Sequence, residues 1–328
     1  MNQIKKQGIV ILLFFPLFSF SCDICGNYMG LTPYDNKNIV SFLHRYRVYN
    51  GYRNHQSHSQ FFPTGAYKVN HNSLSDSLSL SKEYSSKDFE SFKIFELRLK
   101  YFVANRMELT IFLPIMNNKS RNNEAEFNST GIGDFSFFVG YHVIKPNLEK
   151  KTKHKLILNV GIKLPTGNYM VHDSNINRLP FEMQLGSGSI DGLFGVNYLW
   201  MKKNIGINAN ANLKLNGKNS FNEQLAGSTT NFISIFYKVP IKKVYLYPAV
   251  NFNYEYTKGL YMHKVLDKVT GINSLLIGPG FELYYKQVSF NASCQLTVRE
   301  NRFENQLKNT GRLTFGVNYN FESKRTNN

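Results

Sequence analysis

The chain has 328 residues and a formal net charge of +17, from 39 Lys and Arg against 22 Asp and Glu. Of its residues 42% are hydrophobic and 15% aromatic, with 20 Tyr and 27 Phe but one Trp, 10 Pro and 3 Cys. So basic a balance raises nucleic acid as a partner, but the bases are scattered over turns, as at Lys150, Lys151 and Lys153 or Lys202 and Lys203. No nucleic-acid partner is expected, because the N-terminus reads as an export signal.

Residues 1–21 place Lys5 and Lys6 before the apolar run Gly8 to Phe20, with small residues at Ser19 and Ser21. This is the layout of a secretory signal peptide. Its apolar core of about ten residues is far short of the ~20 that a membrane helix needs. Residues 22–38 are expected to form a short periplasmic segment carrying Cys22 and Cys25 in a C-x-x-C-G motif. Export favours a local disulfide between them; acylation of Cys22 and metal binding are the alternatives. Acylation is opposed by Ser19, which stands where a branched aliphatic is usual three residues before the cysteine. A closed metal site needs further ligands, of which Met29 alone is near, and haem attachment needs His at position 26, where Gly stands. No cofactor is expected, and Cys294 reads as a small hydrophobe on a strand's apolar face.

From residue 39 to 321 apolar and polar side chains alternate, the pattern of strands between a greasy and a wet environment. Twelve segments follow in order: 39–50, 92–103, 107–117, 131–144, 155–165, 188–200, 205–215, 229–239, 244–256, 272–285, 288–298 and 311–321. Each has about the 9 to 11 residues of a tilted membrane strand. Connections of a few residues, such as Met201 to Asn204 and Pro240 to Lys243, alternate with long polar ones at 51–88, 118–130, 166–187 and 257–270. Short turns on one side and long loops on the other are the asymmetry of a bacterial outer-membrane barrel. The expected fold is therefore all-β, a transmembrane antiparallel barrel of about 12 strands. It is expected to be a monomer in the outer membrane of a Gram-negative cell, followed by a tail at 322–328. A soluble antiparallel sandwich is the rival, because it alternates too.

Side-chain parity assigns functions to the two faces. Tyr101, Tyr141, Tyr198, Trp200, Tyr285, Tyr319 and Phe321 fall on the apolar face near the short-turn ends, where rings favour the lipid interface. On the polar face fall Arg45, Arg47, Glu96, Arg98, Lys100, Asp134, Lys163, Asp191, Lys214 and Glu255, together with Glu108, Lys155, Lys238, Glu282 and Arg312. Lys or Arg facing lipid at the midplane costs ~2 to 4 kcal/mol each, so these charges belong in the lumen. They are either a space-filling ion-pair network or a charged eyelet that selects solutes. Arg45, Arg47, Arg98 and Lys100 are expected to share one positive wall, partly neutralised by Glu96.

Two stretches carry a resemblance. Thr130-Gly-Ile-Gly-Asp-Phe-Ser-Phe-Phe-Val-Gly-Tyr141 with Val160-Gly-Ile-Lys-Leu-Pro-Thr-Gly167, and Leu185-Gly-Ser-Gly-Ser-Ile-Asp-Gly-Leu-Phe-Gly195, resemble the outer-membrane transporter barrels of the phenol-degradation meta-pathway family. The resemblance covers residues 130–215 and implies passage of small, including hydrophobic organic, solutes. The segment from Gly316 through Tyr319 to Phe321 resembles the C-terminal signal read by the barrel-assembly machinery, and departs from it in the tail that follows. Outer-membrane lipid and that machinery are the implied partners. His55-Gln-Ser57 is similar to the His-x-Ser spacing of the outer-membrane phospholipase, but lies in a long loop with His58 where Asn is expected. Catalysis needs the pair held rigidly by a third group, so no enzyme activity is expected. A structural or adhesin-type surface barrel, favoured by the long first loop, is the further alternative.

Overall fold

The computed structural model describes residues 37–52, 88–122, 125–147, 149–173, 177–267, 270–301 and 307–322. The signal sequence, Cys22 and Cys25, the His55-Gln-Ser57 triplet and the 322–328 tail beyond Glu322 lie outside them. Twelve long strands form the wall: β1 Lys37–Tyr52, β2 Phe89–Ala104, β3 Met107–Asn122, β4 Ser136–Ile144, β5 Thr152–Lys163, β6 Asp191–Lys202, β7 Ile205–Leu215, β8 Ser228–Tyr237, β9 Val244–Thr257, β10 Ile272–Tyr285, β11 Val288–Glu300 and β12 Leu307–Glu322. Each pairs antiparallel with its neighbours in sequence, and β1 pairs with β12 from Lys37–Glu322 to Tyr52–Leu307. The sheet is thus a closed up-and-down barrel of 12 strands. Closure leaves no wall strand with an unpaired edge, which a bilayer requires because it offers the backbone no hydrogen bonds.

Alternation decides which way each side chain points. Phe42, Leu97, Ile115, Val160, Ile233 and Phe315 are exposed on the outside, while Ser41, Glu96, Thr110, Asn159, Ser234 and Asn318 are buried on the inside. An apolar belt all round the barrel is far larger than the patches soluble monomers carry, and lipid is the solvent it suits. The sandwich rival fails on the same observation, because its apolar faces would meet in a shared core. The tyrosines expected at the short-turn rim are there: Tyr141, Tyr285 and Tyr319 are exposed. Tyr319 stacks on Phe321 with ring centroids 6.2 Å apart and donates to Gln287 at 3.0 Å. Cys294 is exposed on the outer face as expected. The tight turns at this rim place Lys203 and Lys286 at φ 54° and 53°, a left-handed conformation that short hairpin turns demand.

The loop end departs from the alternation reading. Residues 118–130, expected as a polar loop, continue β3 and turn back as a strand, Ala125–Ile132, that pairs with it from Asn122–Ala125 to Ile115–Ile132. The expected strand 131–144 is therefore two pieces. Between the Ile115–Ile132 and Phe112–Ser136 pairs, β3 advances three residues and the returning chain four. That extra residue is a bulge, a device that re-aims a side chain, and it turns Asp134 inward. The expected loop 257–270 also holds structure: Leu260–Met262 pairs with Val265–Asp267 and with Glu223–Leu225 in a separate three-stranded sheet.

Candidate functional site in the barrel lumen

The inner wall is built in tiers, beginning at the loop end with residues of the family-like stretches. Asp134, at the bulge, accepts from the backbone N–H of Gly167 at 3.0 Å and of Ser187 at 2.9 Å, and from Lys163 Nζ at 2.5 Å. Lys163 also lies 2.8 Å from Asp191, which lies 3.0 Å from Lys214. Asp191 further accepts from Ser189 Oγ at 2.8 Å and Gly217 N–H at 3.0 Å. The four charged side chains are nearly inaccessible to solvent. They alternate in sign along one chain of contacts, which is how buried charges are tolerated.

This cluster holds the connection at 166–187, which alternation reads as an ordinary polar loop. Within 164–190 the described residues, which include a 3-10 turn at Phe181–Met183, reach the inner side of the wall. Asn118 and Ser129 both point inward, and they donate to the carbonyls of Gln184 at 3.4 Å and Met183 at 2.5 Å. Leu179, Met183 and Leu185 are buried. Gly167 and Gly186 are required where the segment crosses itself: a Cβ on Gly167 would sit 2.5 Å from the Leu185 carbonyl oxygen, and one on Gly186 would sit 2.5 Å from the Gly167 carbonyl oxygen. Arg178 in the same segment makes a two-pronged pair with Glu223, at 2.6 and 3.0 Å. The segment is thus fastened across the mouth.

The second tier crosses the lumen. Glu255 on β9 accepts from Arg47 on β1 and from Arg312 on β12, with Asn253 donating to it at 2.7 Å. β9 and β1 are four strands apart, a third of the way round. Twelve strands tilted about 40° and spaced about 4.8 Å would enclose a circle roughly 24 Å across, making that chord roughly 21 Å. An Arg and a Glu side chain laid end to end cannot span it, so the bridge marks a narrowing of the barrel.

Below, Arg98 pairs with Glu96 and stacks over Phe112, its Cζ 5.2 Å from the ring centroid. Lys100 lies 3.8 Å from Glu108, which also meets His142 Nε2 at 2.8 Å. The expected positive wall is therefore corrected: Arg47, Arg98 and Lys100 each face a carboxylate, and the surface they share with Arg45 is a mixed-charge one. Lys238 lies just beyond β8 at the short-turn rim, half-buried, with Nζ 4.4 Å from the ring centroid of Tyr245, a ring that packs on the inward cluster there. The remaining charges, Lys155 and Glu282, are buried on the inner face as their parity requires.

Alternation alone did not identify the third element, an apolar lining. Phe112, Phe138 and Leu193 form one inward cluster, and Met201, Phe236, Tyr247 and Tyr284 form another at the short-turn end. Tyr247 packs edge-on against both Phe236 and Tyr284, at 5.8 and 5.3 Å. Phe236 covers Gly206 on the neighbouring strand, where a Cβ would lie 2.2 Å from the ring. The signal was present in the sequence, since these side chains share the parity of the lumen charges. Among the described residues no group of three or more His, Cys, Asp or Glu is placed to hold a metal ion.

No family model matches the chain, and no characterised protein is significantly similar to it in sequence. Its fold is similar to that of an outer-membrane channel from Pseudomonas putida F1, with a TM-score of 0.61 and 14% identity over 90% of this chain and 98% of that one. The β-domain of the Bordetella autotransporter BrkA gives a TM-score of 0.48 at 8% identity, over 88% of this chain and 100% of that one. A FadL homologue from Pseudomonas aeruginosa gives 0.35 at 9% identity, over 88% and 90%. At such identities the likeness is one of fold. A closed barrel of this architecture with an apolar exterior is a protein of the Gram-negative outer membrane.

Proposed function

We propose that this barrel is a narrow passive channel for small solutes, held shut at rest by its own side chains and by the inward-reaching residues of 164–173 and 177–190. One observation carries this reading: the interior is filled with paired charges. A barrel selected only as a rigid scaffold gains no folded-state stability from them, because replacing buried ion pairs by well-packed apolar groups is often neutral or stabilising. Charges across a constriction, by contrast, can part, take up water and discriminate among solutes.

In this reading Arg45, Arg47, Glu96, Arg98, Lys100, Asp134, Lys163, Asp191, Lys214 and Glu255 set selectivity. The two apolar clusters offer contacts to small hydrophobic organic solutes. The resemblance at 130–141, 160–167 and 185–195 to the phenol-degradation meta-pathway barrels supports the same solute class. Gly316, Tyr319 and Phe321, at the end of the closing strand, serve as the assembly signal of a monomeric barrel.

The test is planar-bilayer recording of the purified, folded protein. Small, ion-selective conductance steps are expected, with larger ones when Lys163 is replaced by Met and the mouth segment is released. The packed interior also favours a second reading, a surface scaffold without transport. Electrically silent bilayers with both proteins would decide for that scaffold and against a channel.

A further inference from the structure

The outer face is not uniformly apolar at the loop end, and the basic side chains on its strands are confined to one arc. On β2 the outward row runs Tyr101, Leu99, Leu97, Phe95 and then Lys93; on β3 it runs Leu109, Ile111, Leu113, Ile115 and then Asn117, Lys119 and Arg121. Registration places these residues together: Lys93 pairs with both Tyr46 and Asn117, Lys119 with Asn128, and Arg121 with Phe89 and Glu126. Lys308 on β12 and Arg299 on β11 are exposed on the same outward face. Strands β11, β12, β1, β2 and β3 are contiguous around the barrel. The outward loop-end positions of strands β4 to β10 carry no Lys or Arg among the described residues; they are apolar at Phe137, Ile162, Phe194, Leu215 and Leu275 and polar but uncharged at Thr229, Asn231 and Asn273, with Lys258 one residue past the end of β9.

Depth makes this arc more than a solvated rim. The apolar rows end at Phe95 and Ile115, and Lys93 and Asn117 are the next outward positions. At about 3.3 Å per residue and a tilt of about 40°, Lys119 lies roughly 5 Å and Arg121 roughly 10 Å beyond Asn117 along the barrel axis. That is the depth of lipid headgroups. Contacts among the side chains of the patch order it. Asn117 bonds Thr130 at 2.6 Å and Asn128 at 3.3 Å, Lys93 leans on the Tyr46 ring at 5.6 Å, and Arg121 lies over Phe89 at 5.7 Å. The carboxylate in the patch, Glu126, meets Arg121 at 2.8 Å with both side chains about half exposed. Such a surface pair contributes little and leaves the patch net positive.

We infer that this arc is a docking surface for phosphate-bearing lipid of the outer leaflet, with Lys93, Lys119 and Arg121 binding the phosphate and the apolar rows below them meeting the acyl chains. The inference needs only the outer-membrane location and the loop end facing outward, as in bacterial barrels; it does not depend on whether solutes pass.

Native mass spectrometry of the delipidated, folded protein in detergent tests it, using bisphosphorylated lipid A and the same lipid stripped of its phosphates as probes. The unaltered protein should retain the phosphorylated lipid at least about tenfold more tightly than the stripped one, by the electrostatic contribution of several near-surface cations. The preference should shrink at high salt, and free inorganic phosphate at millimolar concentration should not displace the lipid. Lys93→Ser, Lys119→Ser and Arg121→Ser together should abolish the preference. Lys202→Ser with Lys203→Ser, at the opposite rim, should leave it intact. Equal retention of the two lipids by the unaltered protein, a measurement that requires no variant to fold, would overturn the inference. So would an unchanged preference in the triple variant.

Discussion

Glu255→Gln is the sharpest test of the lumen as described. The carboxylate is almost wholly buried and accepts from two guanidinium groups, Arg47 and Arg312, on different strands. Gln keeps its shape but offers one acceptor oxygen, and turns an amide donor towards the other guanidinium. Two buried cations then lose the carboxylate they share. Removing one partner from a buried ion pair costs about 3 to 5 kcal/mol, and the second cation puts the loss at the upper end of that range. With a urea slope of about 3 kcal/mol per molar, the upper end for small proteins, the unfolding midpoint should fall by about 1 M or more. Trp200, the only Trp in the chain, lies near the short-turn rim on the outer face and reports unfolding from lipid vesicles by fluorescence. The companion variant carries Glu255→Leu, Arg47→Met and Arg312→Met. Apolar replacement of the whole group removes the unpaired charges, so it should recover most of the loss while abolishing the constriction's charge. An unchanged midpoint in Glu255→Gln would refute the cross-lumen bridge, and with it the narrowing deduced from the chord.

Replacing Arg45, Arg47 and Arg98 by Ser should shift the reversal potential of any bilayer conductance towards cations, because Glu96 would lose its cation and Glu255 would keep only Arg312 of its two guanidinium partners; an anion shift would contradict the pairing. Lys163→Met leaves Asp134 and Asp191 close together with Lys214 as their remaining cation, so stability should fall by about 3 to 5 kcal/mol. Limited proteolysis should then cut within 164–190, and resistance equal to that of the unaltered protein would show that the latch lies elsewhere. Gly206→Ala drives a methyl into the Phe236 ring and should cost about 1 to 3 kcal/mol by overpacking, read as a lower temperature for loss of the heat-modifiable gel band. No shift would mean that Phe236 does not cap that glycine.

The wall was legible in the sequence because a membrane barrel imposes the same two-residue period on every strand, so errors at single positions average out. Arg98 and Leu97, side by side, could be sent to opposite environments without knowing what either touches. The loop end was not legible for the complementary reason: its geometry is set by contacts remote in sequence. Nothing in Gly133-Asp134-Phe135 announces a bulge until Lys163, Gly167 and Ser187 are present to receive the carboxylate. Pairing among lumen charges was similarly out of reach, because Arg47 and Glu255 are separated by 208 positions. The polar parity identified both; only the closed barrel brings them together. Phe236, Tyr247 and Tyr284 were obscured by the expectation that a lumen is polar, although their inward parity could be read.

The inward charges also act on a choice made before there is a lumen at all. If β2 slipped by one residue against its neighbours, Glu96, Arg98 and Lys100 would exchange places with Phe95, Leu97 and Leu99, and the two cations alone would cost roughly 4 to 8 kcal/mol in the hydrocarbon. That penalty is comparable with the whole folding stability of many proteins. Mispaired hairpins are therefore poor candidates for insertion, and fidelity of strand alignment is written into the same side chains that later face one another across the interior. A variant with an all-apolar interior could be just as stable once folded and yet assemble into a mixture of registers.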